Sequence, residues 1–227
     1  MKHLMLSMGA LALLAVSYGF STQDPKPAPA PAPAPAPTKT TSTTPTNAEV
    51  IAAQKPSYPL TTCVITGEKL GADAVDNVKD GHLVRTCCAK CTPKVDAASI
   101  KKVEDAVIAV QLKTYPLEAC LCAKPLGEKA VNHVVGTRLF RCCTPECATM
   151  MDKDVKAAQA KLDKAYIDAQ LKTYKLTTCP VCSMDLTKGE PVNKLYGITL
   201  VRFCSAKCSA ALDTDAAAIM KKVAAAQ

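Results

Sequence analysis

The chain has 227 residues, a formal net charge of +8, 48% hydrophobic residues and 4% aromatic residues, with no tryptophan. Its lysines are interleaved with acidic residues and few aromatic side chains are present to stack on bases, so the composition argues against nucleic-acid binding. The sequence has no Ser-His-Asp set, paired carboxylates or phosphate-binding loop, and we therefore do not expect an enzyme.

Residues 1–19 have the layout of a secretory signal peptide. Lys2 and His3 precede an apolar run over residues 4–16, and the small residues Ser17 and Gly19 follow it. The run is short for the roughly 17–25 residues that cross a bilayer, and an uncleaved N-terminal anchor is the alternative interpretation. The sequence therefore predicts a secreted or periplasmic protein, which contacts the membrane only through this segment if it is not cleaved.

Residues 20–47 are predicted to be a linker. Proline and alanine alternate from Pro25 to Pro37, and a threonine-rich stretch follows. Proline at every second position prevents helix and sheet, because its ring fixes φ and it has no N–H group to donate. We expect a polyproline II spacer or a disordered linker that buries no apolar surface.

Three cysteine-rich units follow, at residues 58–114, 115–173 and 174–227. Their leading cysteines, Cys63, Cys120 and Cys179, lie 57 and 59 residues apart, and each follows a tyrosine by five residues. All 13 cysteines of the chain fall inside the three units. A period of this size indicates an array of one supersecondary unit. Because the cysteines recur in each unit, we interpret their thiols as the functional groups of the units.

Each unit is predicted to be a cysteine loop, a β-hairpin and a helix, which is an α+β fold. The hairpins are predicted at residues 74–86, 131–142 and 192–203, with a glycine in each turn. The helices are predicted at residues 89–113, 152–172 and 209–226, where apolar residues recur at helical spacing. The first two helices continue directly into the next unit, which favours stacked units.

The third unit carries the strongest metal-binding pattern. Cys179 and Cys182 form a Cys-x-x-Cys loop, while Cys204 and Cys208 are four residues apart at a predicted helix start and so share one face. Four sulfurs are the number that a tetrahedral ion requires, and a helix N-terminus favours the thiolate that binds soft metals.

The first two units depart from this pattern. When the units are aligned on the leading cysteine, Thr66 and Ala123 stand at the position of Cys182. The first unit offers Cys63, Cys87 and Cys91, with Cys88 and His82 as accessory candidates. The second unit offers Cys120, Cys143 and Cys147, with Cys122 and Cys142 as accessory candidates. Four thiolates suit Zn(II), whereas three or fewer suit Cu(I), so both ions stay open.

The third unit resembles the TRASH and YHS group of small treble-clef-like modules. The resemblance rests on Cys179-Pro-Val-Cys-Ser-Met184, a hairpin with Gly197, and Arg-Phe-Cys204-Ser-Ala-Lys-Cys208 before a helix. It extends more loosely to the other two units and so to most of the chain beyond the linker. It implies cysteine ligands in the three units, handling or sequestration of heavy metal, and a partner protein that exchanges metal with this one.

Three alternatives to metal handling stay open at this point. In an oxidising compartment, disulfides such as Cys63 to Cys87 would stabilise each unit by about 2–4 kcal/mol without metal. Zinc would alternatively be a structural staple in a repeat protein whose surface binds something else. In the third alternative, the Cys179-Pro-Val-Cys182 loop is a redox-active dithiol. No βαβ pattern surrounds this loop, and the other two units lack the Cys-x-x-Cys motif, so the sequence favours this alternative least.

Overall fold

The computed structural model describes residues 45–226, so the predicted signal peptide and nearly all of the predicted linker lie outside the described residues. Within them the chain is α+β, as predicted, with three separate two-stranded antiparallel sheets. The strands are β1 Val75–Lys79, β2 His82–Thr86, β3 Val131–Val135, β4 Arg138–Cys142, β5 Val192–Tyr196 and β6 Thr199–Phe203. No helix in this part of the chain is long and apolar enough to span a bilayer.

The three hairpins share one register. In each hairpin the five residues of one strand pair with the five of the other. The first residue of the first strand lies opposite the last residue of the second: Val75 opposite Thr86, Val131 opposite Cys142 and Val192 opposite Phe203. Their turns contain Gly81, Gly136 and Gly197, which have positive φ angles of 78°, 61° and 61°. Glycine adopts this conformation without a Cβ penalty, and two-residue hairpin turns require it. The predicted hairpins are therefore confirmed, with their turns at the predicted glycines.

The helices are shorter than predicted and are interrupted. They are α1 Asn47–Gln54, α2 Ala97–Gln111, α3 Pro145–Met151, α4 Val155–Leu171, α5 Ala206–Ala210 and α6 Ala216–Ala225. The helix predicted from residue 89 begins only at Ala97, where the Asp96 carboxylate accepts the Ser99 N–H and starts a new helix. In the same way Asp154 accepts the Ala157 N–H and separates α4 from α3. The predicted helix over residues 209–226 likewise spans the break between α5 and α6, because apolar spacing alone does not mark where one helix ends and the next begins.

A glutamine near the end of a helix docks each hairpin. In the second hairpin, Gln111 Nε2 donates to the Thr137 carbonyl at 2.7 Å and Gln111 Oε1 accepts the Leu139 N–H at 2.9 Å. Gln54 and Gln170 make the same pair of bonds to the turns of the first and third hairpins. Each helix is therefore fixed to the hairpin that follows it in the chain.

A tyrosine four residues after each glutamine adds a second anchor. The hydroxyls of Tyr58, Tyr115 and Tyr174 accept the backbone N–H of the arginine that is the next-to-last residue of the second strand, at 3.0, 3.0 and 3.1 Å. These tyrosines therefore link the start of each cysteine loop to the strand that precedes Cys87, Cys143 or Cys204.

The core is shared between neighbouring hairpins. Val103 and Val107 of α2 are fully buried and pack in one cluster with Val84 of β2 and Leu139 of β4. On α4, Tyr166 is buried in a cluster that includes side chains of the second hairpin and packs against the third. Apolar packing therefore joins neighbouring hairpins: the cluster on α2 contains no cysteine, whereas the cluster on α4 includes Cys120, Cys142 and Cys143.

The three hairpin turns meet at the C-terminal end of α1. The Gln54 amide donates to the Gly81 carbonyl, the Thr137 hydroxyl donates to the Gln54 carbonyl at 2.9 Å, and Gly197 lies directly against the Pro56 carbonyl. Cys87, Cys143 and Cys204 directly follow the second strand of their hairpins, at the end opposite to the turn. A strand of five residues separates them from the turn by about 17 Å. This arrangement directs the cysteines away from the point where the turns meet.

Replacing Gln111 with methionine is expected to lower the free energy of unfolding by about 2–4 kcal/mol, because a buried group left unpaired costs about 1–3 kcal/mol. The substitution leaves the Thr137 carbonyl and the Leu139 N–H without partners, and both residues are buried. Gln54→Met is the matched control, since one of its two partners, Gly81, is exposed and water can replace that bond, so that only the N–H of the buried Leu83 loses its partner. Urea unfolding should show the larger loss for Gln111→Met, and equal losses would contradict the role assigned to the buried amide.

Candidate metal centres

The third cysteine cluster is built by a tight loop and the start of a short helix. The Cys179 N–H donates to the Met184 carbonyl at 2.7 Å, the Ser183 N–H donates to the Cys179 carbonyl at 2.8 Å, and Ser183 has a φ of 61°. Cys204 directly follows β6, and Cys208 lies on α5, whose cap residue Ser205 accepts the Cys208 N–H. The loop and the helix therefore contribute two cysteines each.

The four sulfurs of this cluster fit one tetrahedral ion. Cys182 Sγ lies 3.4 Å from Cys204 Sγ and 3.7 Å from Cys208 Sγ, and the latter two are 3.7 Å apart. All four Sγ atoms, that of Cys179 included, lie within 4.8 Å of one another. With Zn–S bonds of about 2.3 Å, the sulfurs of a tetrahedral site are about 3.8 Å apart. A disulfide would bring two of them to about 2.05 Å.

The second cluster also contains four cysteines, and Cys122 is one of them. Cys120 Sγ lies 3.5 Å from Cys147 Sγ, Cys122 Sγ lies 3.6 Å from Cys143 Sγ, and all four lie within 4.8 Å of one another. Cys122, an accessory candidate by sequence, therefore lies inside the cluster.

The loop of the second cluster is one residue shorter than that of the third. The Cys120 N–H donates to the Lys124 carbonyl, and the residue with positive φ is Ala123. Counted back from that residue, Cys122 matches Cys182, and Ala123 matches Ser183. The alignment on the leading cysteine was wrong here because it assumed loops of equal length.

The first cluster contains three cysteines. Cys63, Cys87 and Cys91 have Sγ atoms within 4.8 Å of one another. The loop has its full length, since the Cys63 N–H donates to the Glu68 carbonyl and the positive φ falls on Gly67. Thr66, which precedes Gly67, therefore takes the position of Cys182, as the sequence alignment predicts. The Thr66 hydroxyl lies 3.6 Å from Cys87 Sγ.

The other accessory candidates lie outside these groups. Cys88 Sγ is 3.8 Å from Cys87 Sγ and 4.0 Å from Cys91 Sγ, at the position where Thr144 and Ser205 cap helices in the other clusters. Without such a cap no α-helix forms around Cys87 and Cys91, contrary to prediction.

His82 and Cys142 have other surroundings. The His82 imidazole lies 3.9 Å from the Glu104 carboxylate, at the turn end of β2 and far along the strand from the cysteines. Cys142 is the last residue of β4 and is buried at the register position that Thr86 and Phe203 occupy in the other hairpins. Burial raises its pKa to about 11. Its position is that of a core residue.

The surroundings of two leading cysteines, Cys63 and Cys179, lower their pKa and favour the thiolate. Burial acts to raise the pKa of Cys179, but the backbone N–H groups of Cys204, Cys182 and Val181 donate to its sulfur and lower that pKa to about 6. The pKa of Cys63 is also lowered to about 6: burial opposes the shift, and bonds from the Thr66 side chain and from backbone N–H groups produce it. Thiolates bind soft metals, so these buried sulfurs are ready to bind an ion.

The cysteines on the short helices behave differently from the sequence-based expectation. The neighbouring sulfur of Cys120, followed by burial, raises the pKa of Cys147, although Cys147 lies in the first turn of α3. The adjacent sulfurs and burial therefore both disfavour the thiolate of Cys147. Binding of an ion at this cluster displaces the protons that such thiols hold.

Two lysines approach the cysteine loops from the following helices. Lys102 Nζ donates to the Val64 carbonyl at 3.2 Å, and Lys222 Nζ donates to the Pro180 carbonyl at 2.6 Å. Each carbonyl belongs to the residue directly after a leading cysteine, so each lysine ties a cysteine loop to the helix that follows it. The sequence pattern did not single out these lysines, because surface lysines are numerous in all three helices.

Comparison with known proteins finds no match for this chain among protein-family models, curated proteins or solved structures. The donor set itself fits a metal ion: three groups of three or four cysteine sulfurs, each group within 4.8 Å.

Proposed function

We propose that this protein binds Zn(II) or Cu(I) outside the cytoplasm and acts in heavy-metal handling or sequestration through its cysteine thiolates. The sulfur separations of 3.4–3.7 Å carry the proposal, because they match a tetrahedral thiolate site and exceed a disulfide bond. The role is binding and not catalysis. The extracytoplasmic location rests on the sequence pattern of residues 1–19.

The repeated architecture supports the same proposal. We interpret the chain as three tandem treble-clef-like units of the TRASH or YHS type, because each hairpin lies between a cysteine loop and a second pair of cysteines. The equivalent loop bonds of Cys63, Cys120 and Cys179 favour one ancestral unit. In such units the cysteines are ligands, and a partner protein would supply or accept the ion.

Handling requires that an ion can leave without unfolding the protein. A buried aliphatic cluster without cysteines joins α2 to the first and second hairpins, so this part of the core does not depend on the sulfurs, whereas the cluster on α4 includes Cys120, Cys142 and Cys143. A scaffold pinned by zinc or disulfides is the second candidate, and the burial of Cys63, Cys120 and Cys179 favours it, since an ion there would tie each loop to its strand.

Metal and thiol counting on the full chain, purified without oxygen, tests the proposal. We expect at least two ions per chain, free thiols after chelation, and a helical circular dichroism signal that survives removal of the ions. Loss of helix in step with zinc release would favour the scaffold. A reduced chain that binds neither zinc nor Cu(I), or one that holds only disulfides, would overturn metal binding altogether.

A further inference from the structure

The three clusters differ at one of the four ligand positions of a tetrahedral site, and the residue at that position is exposed to solvent. Cys122 and Cys182 are the exposed cysteines of the second and third clusters, and the residue at the same position of the first cluster is Thr66, also exposed. Cys182 Sγ lies 3.4 Å from Cys204 Sγ, and Thr66 Oγ1 lies 3.6 Å from the equivalent Cys87 Sγ. A neutral hydroxyl therefore occupies the place of a thiolate.

No other ionisable side chain replaces the missing sulfur. Among the described histidines, cysteines and carboxylates, only Cys63, Cys87 and Cys91 lie within 4.8 Å of one another in this cluster. Glu68 Oε2 accepts a hydrogen bond from Cys87 Sγ at 3.2 Å, and Cys88 contacts two of the three sulfurs from outside. Neither of them reaches all three sulfurs. The first cluster is a three-sulfur site.

Coordination number separates the two ions. Zn(II) in closed protein sites takes four ligands, and a hydroxyl that keeps its proton is a weak fourth ligand. Cu(I) is soft and is bound well by thiolates alone, without a requirement for four of them. We infer that the first cluster is a three-thiolate Cu(I) site and that the second and third clusters are zinc sites. This inference rests on the proposed function and divides it between the clusters.

The position of Thr66 also determines how an ion in the first cluster would be exchanged. Cys63 and Cys91 are buried, so the ion is held from the protein side, while the Thr66 side faces solvent. An external thiolate that approaches an ion in the first cluster from this side therefore has only the neutral Thr66 hydroxyl to displace. In the other clusters Cys122 or Cys182 occupies this path. The first cluster is thus the exchange site of the chain.

The test begins with the zinc-loaded full chain, freed of loose zinc by a chelator of moderate affinity. We expect two zinc ions to be retained. A first equivalent of Cu(I), added without oxygen, should bind without releasing zinc, and X-ray absorption should give a copper with three sulfur neighbours. Release of one zinc per first Cu(I), or a copper with a different number of sulfurs, would overturn the inference.

Reciprocal variants locate the effect. Thr66→Cys should raise the zinc content from two to three and make the first Cu(I) equivalent release zinc. Cys182→Thr should lower it to one and allow two Cu(I) equivalents to bind before zinc is lost, while Thr66→Ser should behave as the parent chain. If the parent chain retains three zinc ions and Thr66→Cys changes nothing, the inference fails while metal binding stands. If no cluster binds either ion, the proposed function fails first.

Discussion

Cys122→Ser is expected to cost the second cluster as much zinc affinity as Cys182→Ser costs the third. Each substitution removes one of four sulfurs at equivalent positions, 3.6 Å and 3.4 Å from the cysteine that follows the hairpin. A four-ligand zinc site is worth about 10–16 kcal/mol at pH 7, so one ligand contributes about 3 kcal/mol on average, or ~100-fold in affinity. Competition against a chromophoric chelator should show one tightly bound zinc fewer in either variant.

Cys88→Ser and Cys142→Ser are the matched controls. Cys88 lies outside the three-sulfur group of the first cluster, and Cys142 is packed in the core at the end of β4, so neither change should alter the zinc count. Cys142→Ser buries a hydroxyl and is expected to lower the unfolding free energy by about 1–3 kcal/mol with its zinc retained. Loss of zinc from Cys142→Ser together with full retention by Cys122→Ser would show that the assignment of ligands is wrong.

The case of Cys122 shows what sequence spacing can and cannot establish. The hairpins were predictable because alternating apolar residues and a turn glycine act locally. Whether a cysteine belongs to a cluster depends on the length of its loop. Because the second loop is one residue shorter, Cys122 takes the position equivalent to Cys182, which the alignment on the leading cysteine assigns to Ala123. Alignment from the hairpin backwards matches Cys122 to Thr66, because each lies 9 residues before its first strand, but not to Cys182, which lies 10 residues before β5.

The contacts between elements were less predictable. Gln111 and Tyr115 stand four residues apart, as do the equivalent pairs in the other two repeats, so the motif itself is visible in the sequence. Its role is not visible, because the amide bonds to a turn about 26 residues further along the chain. The Thr46 and Glu49 capping box likewise indicates α1, but not that α1 would receive all three hairpin turns.

Gly197→Ala is expected to lower the free energy of unfolding by about 2–5 kcal/mol, with about 1–2 from the left-handed conformation and about 1–3 from overpacking. An added Cβ would lie 2.6 Å from the Pro56 carbonyl oxygen and 3.2 Å from Ser57 Cα, and backbone atoms cannot turn aside as a side chain can. Gly81→Ala is the control: its φ is 78°, but nothing lies within 4 Å of the new Cβ, so only the conformational cost of about 1–2 kcal/mol applies.

Gly136→Ala should fall between these two variants in urea unfolding of the zinc-loaded chain. Its new Cβ would meet the Gln54 side chain at 2.6 Å, which can move but would then release its bonds to the first hairpin. All three variants should keep their zinc, because the clusters begin at the opposite ends of the strands. Equal losses for Gly197→Ala and Gly81→Ala would mean that the residues directly after α1 do not bind the third hairpin. In that case the three turns would not share a common anchor, and the clusters would be held together only through α2 and α4.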